Sequence, residues 1–337
     1  MKWNKEDEQQ IKISFLQNEQ IVDDTNNYIQ RERKAIIYAV IAQFIWAIGV
    51  IIIKAGNKCT NFTPNSYSMW RSVFMSLITY YTLKQKNIPI IPFSQVKRKY
   101  WFLVRTLGTY FCFLFYIISL VYLRAGTASC LDSSAPLIII FLSACILKEK
   151  IYMRYIIGII LCFIGSAMIV LNDKKSGSAS LPVDDKEDSN TIIAKGIFFS
   201  MLNVIMYSLI TFAQKLMVMD GLSTEIQIFY TGTSNFVLGF AFCLYEGNFG
   251  LNIWLIIITF GNGLVFYYGQ LFTDLTLKNM DVSKFSPTTY IQAIFVFILG
   301  FLIFGEKFFV TDLIGSLLIV SFHIYNWYRP IKSTTVQ

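Results

Sequence analysis

Long apolar blocks joined by short polar connections constrain what this chain can fold into. A helix needs about 20 mostly apolar residues to cross a hydrocarbon core of about 30 Å. Backbone groups in lipid must bond within their own segment, which favours helices over open strands. Blocks of that length run about Ala35–Lys54, Tyr67–Lys84, Trp101–Tyr122, Thr127–Leu147 and Tyr152–Leu171. They recur about Ala194–Leu216, Glu225–Tyr245, Leu251–Leu275, Ser283–Phe304 and Val310–Trp327. The spacing predicts an all-α membrane protein of ten transmembrane helices. Composition agrees: 55% of residues are hydrophobic and only 15% charged, against roughly 25% charged in soluble domains.

The longest polar stretch between blocks, Asn172–Asn190, holds Asp184, Asp185, Glu187 and Asp188 and divides five blocks from five. The expected organisation is a polar arm over 1–34, a first five-helix unit over 35–171, a linker over 172–193, a second unit over 194–328 and a tail over 329–337. The arm lacks the apolar core of a signal peptide. Lys86, Lys97, Arg98 and Lys99 crowd the second connection, and Lys148, Lys150 and Arg154 the fourth. Basic loops on that side place the N-terminus in the cytosol, and an even span count returns the C-terminus there. The expectation is a multi-pass protein of an unspecified membrane. The net charge of +8 is spread through loops and not gathered on one basic face, so nucleic acid is not an expected partner.

The halves resemble one another. A shift of 157 residues lays Leu147-Lys148-Glu149 on Phe304-Gly305-Glu306, Gly158 on Gly315, and Ser133-Ser134-Ala135-Pro136 on Tyr290-Ile291-Gln292-Ala293. A slightly different shift lays Trp46 and Lys54 on Tyr207 and Lys215. Because five is odd, the second unit must enter the bilayer inverted relative to the first. Inverted repeats put a pseudo-two-fold axis in the membrane plane, and rocking one unit against the other opens a shared site to opposite sides in turn.

The stretch Ser129–Glu149, with Pro136 inside it, followed by Gly158 and Gly165, resembles the drug/metabolite transporter superfamily, in particular its EamA-type members. Ser286-Pro287, Tyr290-Ile291-Gln292, Glu306 and Gly315 form a second such copy, and Arg71 and Arg105 are similar to family arginines. The chain departs from the pattern at Ala293, where many members have Pro, and at Lys148, where Gly is common. The resemblance, spanning about 35 to 328, implies ten helices, both termini cytosolic and a substrate cavity between the halves. It leaves the solute open among amino acids, nucleobases, sugar phosphates, polyamines and drugs.

Charges at membrane depth cost about 2.5–3.5 kcal/mol on insertion scales, so each is a candidate for solute binding. Arg71 and Arg105 are two; the bland alternative is a guanidinium snorkelling to the headgroups. Asp132 sits among small residues (Thr127, Ala128, Ser129, Ser133, Ser134, Ala135), and Pro136 removes the hydrogen bond its carbonyl would accept. It suits a cation, proton or amine unless it pairs structurally with Arg71 or Arg105. Lys284 and Asp274 flank one short turn and are expected to pair with each other, though both remain candidates. Thr289, Tyr290 and Gln292 offer uncharged hydrogen bonds from the second half. Lys54 and Lys215 read as interfacial anchors, Glu149 and Glu306 as structural caps. Gly261-Asn262-Gly263 either unwinds its span or permits close packing.

No enzyme is expected. His323 is the sole histidine and no cysteine pair has metal spacing, so no metal or cofactor is expected either. No G-x-x-x-x-G-K-[ST] loop is present, so ATP does not drive the chain directly. The expected function is secondary transport of a small organic solute, with an antiporter of nucleotide sugars or phosphorylated metabolites as the alternative, and a polytopic receptor or scaffold outside that class. Arg71, Arg105 and Lys284 in one cavity would favour the anionic solute; Asp132 without a basic partner would favour a cation. The expected partners are the solute and the bilayer, with a homodimer left open.

Overall fold

The computed structural model describes residues 30–56, 62–91, 93–123, 125–132, 134–148 and 189–305, with short pieces among 153–164 and 314–321. Most of the fifth and tenth expected spans, Glu149, Glu306 and the linker core lie outside the described residues. Every regular element among the described residues is helical. They are α1 (Gln30–Gly56), α2 (Pro64–Gln85), α3 (Lys99–Tyr122), α4 (Ala125–Asp132), α5 (Ala135–Leu142), α6 (Ser189–Met219), α7 (Thr224–Glu246), α8 (Ile253–Asn279), α9 (Val282–Phe285) and α10 (Tyr290–Phe304).

The helix boundaries follow local chemistry. Thr63 accepts a hydrogen bond from the Ser66 amide at 3.2 Å and Pro64 takes the first helical position of α2, where its missing N–H costs nothing. Asn252 caps α8 by accepting from the Trp254 amide at 2.9 Å. Gly247 closes α7 at φ 66°, a left-handed conformation that glycine adopts freely.

Five described helices are long and apolar enough to cross a membrane: α1, α3, α6, α7 and α8. The expected count of ten is not confirmed among the described residues. α2 has the length, 22 residues, but is not among the five. It packs between α7 and α8 and buries Ser66, Ser68, Arg71, Ser72 and Thr79. A helix shielded from lipid by its neighbours has no need to be apolar all round.

Contacts across the halves fix direction. α2 and α7 run antiparallel: Asn65 meets Glu246, a Cβ on Gly239 would lie 3.1 Å from Met69, one on Gly232 would press on Ser76, and Lys86 meets Glu225. α3 and α6 are antiparallel as well, with Trp101 against Phe212, Cys112 against Asn203 and Leu123 against Gly196. α1 and α8 repeat this arrangement through Gly49 with Asn262 and Trp46 with Thr273. The second helices of the two halves therefore run in opposite directions and pack on one another. α1 with α8 and α6 with α3 are counterpart pairings.

The fourth expected span is described as two helices, α4 ending at Asp132 and α5 beginning at Ala135 beside Pro136. The ninth divides at a 3₁₀ turn, Ser286–Thr289, between α9 and α10. Of the two readings of Gly261-Asn262-Gly263, the interruption does not occur, since α8 is continuous. Gly263 instead lets α8 approach α2: a Cβ there would stand 3.2 Å from that of Phe74 and 3.4 Å from the Arg71 carbonyl oxygen. Lys215 closes α8 from outside, donating to the Leu277 carbonyl at 2.7 Å and the Met280 carbonyl at 3.0 Å, where a cation meets the negative end of the helix.

Candidate functional site

Between the halves lies a cavity of about 150 Å³. α3 lines it with Arg105, Thr109, Cys112, Phe113 and Tyr116, and α6 with Asn203, Tyr207, Ile210, Thr211 and Gln214. Both sets follow i, i+4, i+7, i+8, i+11, which is one continuous face of a helix.

The lining is pseudo-symmetric. Trp46, Gly49, Val50 and Ile53 on α1 line the cavity, and so do Tyr207, Ile210, Thr211 and Gln214, each 161 residues later (207 − 46). Arg105, Thr109, Phe113 and Tyr116 on α3 have counterparts 157 residues later (262 − 105) in Asn262, Phe266, Gln270 and Thr273 on α8, all lining. Asp132, where α4 ends, corresponds to Thr289 by the same shift, and both line the cavity. The cavity is thus walled by equivalent faces of both halves. The side chains break the symmetry: Arg71, Arg105 and Asp132 all belong to the first half, while the second supplies neutral amides and hydroxyls.

Arg71 is 0% exposed and Arg105 2%, which rules out snorkelling for both. The Arg71 guanidinium carbon lies 3.4 Å from the Phe113 ring centre and 4.7 Å from that of Phe266. None of its three nitrogens has a hydrogen-bond acceptor. Arg105 donates through Nη1 to Thr109 Oγ1 at 3.3 Å, while its Nε and Nη2 have no acceptor. Cation–π contacts stabilise a charge by about 0.5–2 kcal/mol but take up none of the in-plane N–H groups.

Asp132 meets neither arginine. Its Oδ1 accepts from Asn203 Nδ2 at 2.7 Å and from Ser200 Oγ at 3.5 Å, both on α6. Asn203 in turn accepts from the Cys112 thiol at 3.0 Å. Among the described residues the cavity therefore contains two guanidinium groups and one carboxylate with no ion pair between them.

Of the expected site residues, Arg71, Arg105, Asp132, Thr289 and Gln292 border this cavity. Tyr290 does not; it is fully buried at the start of α10, and the 3₁₀ turn before it turns Thr289 and Gln292 inward instead. Lys284 and Asp274 neither line the cavity nor pair. Lys284 reaches Glu32 of α1 at 2.8 Å, and Asp274, 0% exposed, accepts from Gln214. The start of α1 brings Glu32 within salt-bridge distance of Lys284, and the expected local pair gives way to one across the halves. Cys112, Phe113, Asn203, Gln214 and Gln270 were not singled out from the sequence; carrying both repeat shifts along whole helices would have found them.

No curated protein matches the chain. A solved crystal structure of a protein shares its fold, with a TM-score of 0.68 over 90% of this chain and 100% of that one at 13% identity. The EamA-like transporter family matches twice, over residues 33–171 and 194–324. The two matched segments start 161 residues apart (194 − 33), the offset that relates the linings of α1 and α6. This chain belongs to the EamA-like transporter family.

Proposed function

We propose that the chain is a multi-pass secondary carrier of a small organic solute, built from two inverted five-helix repeats with both termini in the cytosol. The supporting observation is the cavity itself: equivalent faces of both halves wall it, so motion of one half against the other changes access without dismantling the site. The antiparallel packing of α2 on α7 supports the inversion. The 3₁₀ turn before Tyr290 falls beside the cavity, as interruptions of helices do at carrier sites.

The test is uptake and counterflow with purified protein in liposomes against a panel of metabolites. Saturable flux that needs no ATP supports the carrier. Solute binding without any flux, across the whole panel, supports a receptor or scaffold instead.

A further inference from the structure

The unpaired guanidinium groups identify the kind of solute. We propose that the solute carries an anionic head group, a carboxylate or a phosphate, that docks between Arg71 and Arg105 on the first half. The site is the cavity of the carrier reading and rests on it, but binding can be measured apart from flux.

Arg71 and Arg105 have five guanidinium nitrogens between them without an acceptor, all buried. An oxyanion completes such groups most strongly, through short charge-assisted bonds that a planar guanidinium can make two at a time. The aromatic contacts of Arg71 leave its in-plane N–H groups for that purpose. Arg105 is hydrogen-bonded at the level of Thr109 and Arg71 rests on Phe113, residues four apart on one face of α3. Both guanidinium groups line the same cavity, so a carboxylate or phosphate within it finds unpaired N–H groups on either arginine.

Asp132 does not close this site. Its Oδ1 accepts from Asn203 and Ser200, and no ion pair joins it to either arginine among the described residues. Its charge repels an anion placed against it, so the head group is directed to the guanidinium groups and the rest of the solute toward the neutral wall of Gln214, Asn262, Gln270 and Gln292. All charged contacts lie on the first half. The anion thus stays with that half while the second moves past the uncharged end.

The experiment uses the full chain in lipid nanodiscs for binding and in liposomes for flux. The probes are pyruvate, succinate and glucose 6-phosphate, with glucose and putrescine as the neutral and cationic counterparts. At least one anion should bind and raise the melting temperature, while glucose and putrescine do not. R71Q and R105Q should each weaken its binding at least tenfold, with R71K and R105K retaining part of it. The carboxylates and the phosphate distinguish the two head groups. Should R71Q fail to fold, R105Q and R105K carry the same test. Binding or flux of putrescine or glucose with no response to any anion overturns the inference while leaving the carrier intact. Anion binding of equal strength in wild type, R71Q and R105Q overturns it as well. Anion binding without flux leaves the inference standing and removes the carrier reading.

Discussion

Asn203 on α6 donates to Asp132 at the end of α4 over 2.7 Å, so a residue of the second half holds the one carboxylate at the cavity wall that comes from the first. The bond joins helices that have to keep their register if the cavity is to survive rocking. Asn203→Ala leaves Asp132 with Ser200 alone, at 3.5 Å. Loss of a buried partner costs about 1–3 kcal/mol, and the melting temperature in detergent should fall accordingly. Adding Asp132→Asn to that variant should cost less than Asp132→Asn alone, and strictly additive losses in the double-mutant cycle would count against a direct coupling.

The α2–α7 seam depends on absent side chains. A Cβ on Gly239 would come within 3.1–3.2 Å of Met69 backbone atoms, which cannot swing aside as a flexible side chain can. Gly239→Val should destabilise the protein by about 1–3 kcal/mol through overpacking, read by thermal melting. Gly261 faces open space, and Gly261→Ala serves as the comparison, with little or no loss expected.

Lys215 satisfies two carbonyls at the end of α8. Lys215→Met removes those bonds and should speed amide exchange over residues 275–280, with a stability loss of about 1–3 kcal/mol. Unchanged exchange there would show that the end of α8 is held by other contacts.

The Lys86–Glu225 pair, 2.6 Å long and half exposed at Lys86, joins the end of α2 to the start of α7. The hydrogen bond to Glu225 is the main cause that raises the Lys86 ammonium above its ordinary 10.5. A raised value means that folding favours the charged form, so the contribution is fully present below pH 10.5 and fades as pH climbs through the raised value. Wild type should exceed Lys86→Gln in stability by no more than about 1 kcal/mol, by a constant margin from pH 6 to 9, and the margin should shrink above pH 10.5 and in high salt. A margin that grows with pH would contradict the pairing.

Much of the fold was legible because burial in lipid demands long apolar runs. The expected block Trp101–Tyr122 appears as α3, Lys99–Tyr122, and Glu225–Tyr245 as α7, Thr224–Glu246. Less legible were features set by packing between distant segments. α2 was expected from its length, yet its polarity reflects enclosure by α7 and α8, which hydropathy cannot express. Pro136 signalled a freed carbonyl, but not that α4 would end at Asp132. Lys284 lies near Asp274 in sequence and pairs with Glu32, 252 residues away; no local pattern encodes that choice. Arg71 and Arg105 stood out because charge is rare in such helices, whereas Asn203 and Gln214 look like ordinary polar interruptions until the repeat is followed residue by residue.

The central claim is that one cavity, shared by the two halves, opens to each side of the membrane in turn. Cys112 lines that cavity and reports its access. In sealed vesicles holding the protein in one orientation, a membrane-impermeant thiol reagent is added to one side at a time, with Cys112→Ser identifying the signal. The account predicts modification of Cys112 from either side. Modification from one side only, whatever solute is present, would contradict it.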